Sequence, residues 1–320
     1  MSCPITLADL HTARAVVGGA MPPTPQYAWP LLCERLGAEV WTKHENHTPT
    51  GAFKVRGGLT YLEAMRRERP YVRGLVTATR GNHGQSIAFA ARQHGVPVTV
   101  YVPHGNSAEK NAAMRGFGAT LIEHGNDFQA ARGAAWASAA AEGWEMVPSY
   151  HRDLVVGVAT YAYELFHAVP DLDTLYVPIG QGSGIAACVI VRDLLGLRTK
   201  IVGVQSVGAP AFALSFEAGR VVTTESAFSL SDGIATRVPD AEPVAIIAGG
   251  VERIVLVSDD DVAAAIRAFW TDTHNLAEGA GAAGLAAAMR EREANLGRKV
   301  GVVLCGGNID LALFQGWVLG

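Results

Sequence analysis

Apolar residues along this chain alternate between short unbroken runs and longer stretches in which they recur every three or four positions. The runs at 75–79, 98–102 and 119–121 read as strands, and the stretches at about 53–67, 87–94, 108–115 and 128–141 read as helices. A second series repeats the pattern, with strands at 174–178, 200–205, 253–257 and 300–304. Its helices lead up to Leu194, up to Trp270 and over 282–290. A further strand fits 39–43. Thr6-Leu7-Ala8-Asp9 has the makings of a helix-capping box, and Ser258-Asp259-Asp260-Asp261 caps the helix that runs up to Trp270. Continuous apolar strands alternating with helices predict parallel sheets covered on both faces.

A chain of 320 residues has room for two such lobes. The pattern predicts two α/β lobes with a reactive site in the crevice between them. We assign residues 1–50 to the N-terminal part of a large lobe, 51–147 to a small lobe and 148–320 to the rest of the large lobe. With 49% hydrophobic and 18% charged residues the composition is that of a globular protein. A formal charge of -4 favours neither nucleic acid nor an anionic membrane as partner. No apolar run approaches the length of a membrane span, and the N-terminus lacks the basic start of a secretory signal. Cys3, Cys33, Cys188 and Cys305 are scattered without CxxC spacing, so isolated reduced thiols and a cytoplasmic location are expected.

Four segments carry candidate chemistry. Lys54, one of five lysines, follows Phe53 where a polar turn enters a helix, a place where a partly dry cleft would lower the amine's pKa. Thr79-Arg80-Gly81-Asn82-His83-Gly84 leaves a strand and opens a helix, so its amides and Asn82 suit a carboxylate. Gly180-Gln181-Gly182-Ser183-Gly184 does the same in the second series and suits a phosphate; it has neither a Walker lysine nor a complete GxGxxG context. Cys305-Gly306-Gly307-Asn308 allows close approach to a flat ring. Singly, each has a structural explanation: a solvent-facing lysine, a common glycine turn, a packed histidine, a buried thiol.

Taken in order, Thr50-Gly51-Ala52-Phe53-Lys54-Val55-Arg56-Gly57, Gly81-Asn82-His83-Gly84-Gln85, Gly180 to Gly184, Asp232-Gly233-Ile234, Glu278 and Gly306-Gly307-Asn308 resemble the threonine and serine dehydratase branch of the tryptophan-synthase-like enzymes. The likeness covers nearly the whole chain. It implies the two-lobed fold type II, pyridoxal phosphate as cofactor, and an active site in the interlobe cleft. It further implies Schiff-base formation at Lys54, ring stacking on Phe53, a phenolic-oxygen contact from Asn82, and phosphate held by Gly180, Gln181, Gly182, Ser183 and Gly184. Glu278 would support the ring side, and Cys305 replaces the serine that often faces the pyridine nitrogen. Thr79, Arg80, Gly81, Asn82 and His83 would bind substrate. A neutral partner such as Cys305 need not keep that nitrogen protonated, which favours prompt elimination. The resemblance also implies a homodimer and a small hydroxyamino-acid substrate.

Arg80 stands where many relatives have serine or alanine. Its planar donors suit a second carboxylate, pointing to 3-hydroxyaspartate and release of oxaloacetate and ammonia. If Arg80 pairs with a protein carboxylate or turns outward, serine or threonine is the better substrate. Racemisation ranks below elimination because a guanidinium stays protonated. A noncatalytic small-molecule sensor would not need Lys54, Phe53, Asn82 and Cys305 together. Tyr150, His151 and Arg152 are weighed as an entrance lining. Where relatives place an acidic metal-binding pair, this chain has Gln205 and Ala211, so no metal is expected there. The short stretch after Asp310 leaves no room for the regulatory domain of many biosynthetic relatives, so end-product feedback is not expected.

Overall fold

The computed structural model describes residues 5–320. Cys3 lies outside the described residues; Cys33, Cys188 and Cys305 are free thiols. The first part of the chain gives α1 (Leu7–Ala20), β1 (Gln26–Ala28), α2 (Pro30–Leu36), β2 (Glu39–His44) and α3 (Lys54–Glu68). Next come β3 (Leu75–Ala78), α4 (Asn82–Gln93), β4 (Val98–Val102), α5 (Ala108–Gly116), β5 (Thr120–Glu123), α6 (Phe128–Glu142) and β6 (Glu145–Met146). The chain continues through α7 (Arg152–Ala168), β7 (Thr174–Pro178), α8 (Ser183–Leu194), β8 (Lys200–Ser206), α9 (Ala211–Ala218) and α10 (Ala241–Gly250). It closes with β9 (Arg253–Val257), α11 (Asp259–Thr273), α12 (Gly279–Arg290) and β10 (Lys299–Leu304), followed by short helical turns.

Two sheets result. One is six-stranded in the order β1-β2-β10-β7-β8-β9, parallel except for β1 on β2; the other is four-stranded in the order β5-β4-β3-β6 and wholly parallel. Central strands β3 and β4 are buried at every residue, as apolar runs covered on both faces must be. Edge strands β5 and β9 are only partly covered. Capping boxes form at Thr6–Asp9 and Ser258–Asp261. No helix of the described residues is long and apolar enough to cross a membrane.

The pattern misses β1, α2, β6, α7, α9 and α10. The largest omission is α7, buried without a break from Leu154 to Ala162, a run rich in β-branched residues. It packs on α3, where Gly57 and Gly157 let the backbones approach: a methyl on Gly157 would overlap the Arg56 carbonyl and the Thr60 hydroxyl. Behind this contact Arg56, fully buried, grips Glu45 with Nε at 2.7 Å and Nη2 at 3.0 Å, and Glu164 with Nη1 at 2.7 Å and Nη2 at 2.9 Å. Lys43 closes the ring on Glu164 at 2.6 Å. Two positive and two negative groups therefore fix the root of the helix that begins at Lys54.

Candidate active site

Phe53, Lys54, Thr79 to His83, Gly180 to Gly184, Glu278 and Cys305, the residues the sequence assigns to cofactor and substrate, all lie on the wall of one cleft between the sheets. Parallel strands explain the convergence, because the turns leaving them meet at one edge of each sheet. Four helices start at this cleft: α3 at Lys54, α4 at Asn82, α8 at Ser183 and α12 just after Glu278. None of the four has a side-chain cap on its first-turn amides. Unfilled N–H groups and aligned peptide dipoles make the starts of α4, α8 and α12 receptive to an anion, whereas in α3 the Val55 and Arg56 amides bond to the carbonyls of Ala52 and Phe53.

The α8 turn is built for close approach. Gly182 sits at φ 92, and a side chain on Gly180 would run into the carbonyl of Gly233. Thr236 ties the turn down by donating to the Gly180 carbonyl at 2.9 Å, and Tyr161 donates to that of Gly184 at 3.1 Å. Gln181 and Ser183 complete this wall, with Ser183 buried.

Lys54 Nζ lies 3.0 Å from Ser183 Oγ and 5.1 Å from the centre of the Phe53 ring. Phe53 is braced edge-on by Tyr161 at 6.0 Å. No carboxylate among the described residues pairs with Lys54. Burial pushes its amine down from 10.5 to about 8, with the nearby Cys305 acting in the opposite sense. Burial pushes the Cys305 thiol up, so it stays neutral, while its backbone carbonyl accepts from Phe53 N at 3.0 Å. The Ala52–Gly306 bridge holds these two segments side by side.

In the α4 turn, Asn82 donates to Glu278 Oε1 at 2.5 Å and accepts from Asn308 Nδ2 at 2.8 Å. Thr79 Oγ1 accepts from Gly81 N at 2.9 Å. His83 is buried and hydrogen-bonded to the Val147 backbone; its Nε2 has no partner, and burial together with Lys54 lowers its pKa to about 3. Arg80 is exposed on the cleft wall, and no carboxylate among the described residues pairs with it. This removes one of the two structural explanations weighed for it.

The sequence reading missed Lys110, Phe128, Ser149 and Thr236, which also line the cleft. Lys110 carried only a weak signal, as one of few lysines in the helix after a buried strand. Tyr150, His151 and Arg152 do not line the cleft: Tyr150 is buried in the core, His151 caps α7 through Asp153 N at 3.2 Å, and Arg152 pairs with Asp9 at 2.9 Å. Gln205 is committed to the fold, its Oε1 accepting from Ala213 N at 2.9 Å.

The residues present fit a phosphorylated aldehyde cofactor. They offer a buried amine without a counter-ion, an uncapped glycine turn beside it, an aromatic wall and a neutral thiol. The model of the pyridoxal-phosphate-dependent enzyme family matches residues 18–306. An L-threonine ammonia-lyase of Geobacter sulfurreducens is 37% identical, over 87% of this chain and 69% of its own. An L-threo-3-hydroxyaspartate ammonia-lyase of Saccharomyces cerevisiae is 31% identical, over 93% of this chain and 91% of its own. Among solved structures, a pyridoxal 5'-phosphate-dependent aspartate racemase superposes with a TM-score of 0.90 at 27% identity, covering 96% of this chain and 97% of that one.

Proposed function

Since the chain belongs to the pyridoxal-phosphate-dependent enzyme family, with the type II fold and ammonia-lyase relatives, we propose that this β-hydroxyamino-acid dehydratase acts on 3-hydroxyaspartate, releasing ammonia and oxaloacetate. The observation that carries the substrate is Arg80: an exposed guanidinium on the cleft wall, next to the carboxylate-binding turn and without a protein carboxylate. Bidentate N–H donors suit a distal carboxylate.

Pyridoxal phosphate, when bound, supplies an electron sink for the electrons left at Cα. Gly180 to Gly184 and the first turn of α8 would hold its phosphate, Phe53 and Cys305 would border its ring, and Lys54 would anchor it. The α4 amides and Asn82 would take the substrate's α-carboxylate. Lys54, with its pKa near 8, is suited to accept the Cα proton near neutral pH, and Ser183 orients its Nζ. Cys305, held neutral, does not compete for that proton.

The threonine ammonia-lyase relatives favour a second reading, in which a substrate with one carboxylate leaves Arg80 unused. The aspartate racemase likeness agrees with a two-carboxylate amino acid but not with racemisation here, because a guanidinium does not shuttle protons at neutral pH.

The test is ammonia release from the 3-hydroxyaspartate stereoisomers, serine and threonine, with Lys54→Ala as the blank. One hydroxyaspartate isomer should be preferred. Arg80→Gln should lower kcat/KM for it about tenfold, the low end for a charge-assisted contact at an exposed site, and spare serine. A wild-type preference for serine or threonine would overturn the assignment.

A further inference from the structure

Lys110 is the one cleft lysine the mechanism leaves unused, and its surroundings are unusual. It belongs to α5, on the four-stranded sheet, yet its Nζ reaches residues that follow β8 of the other sheet. It donates to Asp232 at 2.9 and 3.1 Å and stands 3.1 Å from Glu278 Oε2, an ion pair off the hydrogen-bond line. Its side chain is 8% exposed and that of Glu278 3%, so the pair is shielded from solvent; Asp232 is more open at 29%. The methylenes of Lys110 lie where a side chain on Gly81 would sit, so the same residue packs beneath the carboxylate-binding turn. Neighbouring contacts join the same surfaces: Ser107 donates to Asp310, and Leu311 N donates to Glu109 Oε1 at 2.9 Å.

Glu278 meets Lys110 with one oxygen and Asn82 with the other. We propose that Lys110 is a positioning residue, which by pairing across the lobes holds Glu278 as the charged acceptor that orients the amide of Asn82 toward the substrate. The proposal rests on the reading of the Asn82 turn as the α-carboxylate site, but not on which β-hydroxyamino acid is used. Four groups face Glu278: Lys110, Asp232, Asn82 and, beyond them, Cys305. Burial raises the Glu278 pKa and Asp232 adds to it, while Lys110 is the largest opposing influence. Without Lys110 the carboxyl would take a proton at higher pH, and the charge-assisted hydrogen bond to Asn82 would become an ordinary one.

Lys110→Met should raise KM about tenfold with kcat changed less than about threefold, the loss expected when a hydrogen bond to a charged group is weakened. Its kcat/KM should recover with rising pH along a limb displaced to higher pH than the wild type's. Lys110→Arg keeps the charge and should restore both. In Lys110→Met combined with Glu278→Gln that limb should vanish, and the two KM effects should fall well short of multiplying.

A second readout needs no turnover. The cofactor-free Lys110→Met protein should show the infrared band of a protonated buried carboxyl at neutral pH, absent from the Glu278→Gln combination. Should Lys110→Met not fold, Lys110→Gln serves the same comparisons. Multiplying effects, an unchanged pH profile or the absence of the band would overturn the proposal. Failure of the wild type to release ammonia from any hydroxyamino acid would instead sink the dehydratase reading, and the infrared result would stand apart from it.

Discussion

Arg56→Met tests whether the buried ionic ring behind Lys54 supports the site. Arg56 is fully buried, as is Glu45, while Glu164 keeps 15% exposure and its contact with Lys43. The substitution preserves much of the side chain's volume but strips Glu45 of both guanidinium bonds and leaves two carboxylates facing one ammonium. Thr24 still donates to Glu45 Oε1 at 2.5 Å, which is too little to compensate a buried charge. Breaking a buried pair from one side costs about 3–5 kcal/mol. For a chain of this size that corresponds to a melting temperature lower by about 6 °C.

The assay is urea and thermal unfolding of the cofactor-free protein, which isolates the fold from ligand stabilisation. Adding Glu45→Gln to Arg56→Met should recover part of the loss, because the orphaned charge is then gone. A loss under about 1 kcal/mol, or no recovery in the double variant, would refute the reasoning. It would mean that water reaches the ring and that α3 is held by packing alone.

Two further outcomes follow from the same geometry. The Lys54 amine has its pKa lowered from 10.5 to about 8, so between those values the unfolded chain holds a proton that the folded one has shed. The cofactor-free protein should therefore gain stability as pH rises through that window, and Lys54→Ala should lack this gain; parallel melting curves for the two against pH would contradict the burial of the amine. Gly157→Ala should destabilise by about 1–3 kcal/mol by forcing α7 from α3, whereas Gly18→Ala, with open space around it, should be neutral or slightly stabilising in the same unfolding assay.

All strands but β1 and β6 were legible because parallel strands read as plain apolar runs, and α1 and α11 because their caps are local. The helix α7 was not. Its Val-Val-Gly-Val-Ala-Thr core favours a strand by β-branching, and only packing against α1, α3 and α8 makes it helical. Strand β6, two residues long, gives no pattern at all. The cleft residues were legible where a glycine-rich turn follows a strand, since the chemistry there is local to the turn. Lys110 belongs to a partnership spanning more than a hundred residues with Asp232 and Glu278, and its own helix reads as an ordinary polar surface.

That partnership also explains how a chain with a formal charge of -4 can hold an anionic ligand. The two carboxylates on the cleft wall, Asp232 and Glu278, are both paired with Lys110. Lys54 and Arg80 are left without an opposing acid, and the uncapped starts of α4, α8 and α12 point the same way. Local potential is therefore positive although the whole molecule is negative, and a partly dry cleft strengthens it. On the proposed reading, the cofactor's phosphate and one substrate carboxylate would occupy the uncapped turns of α8 and α4. Arg80 remains, at the exposed rim, where neither of those anions is needed. A second carboxylate on the substrate would give it a partner, so under the proposed reading Arg80→Gln is the substitution that separates 3-hydroxyaspartate from serine.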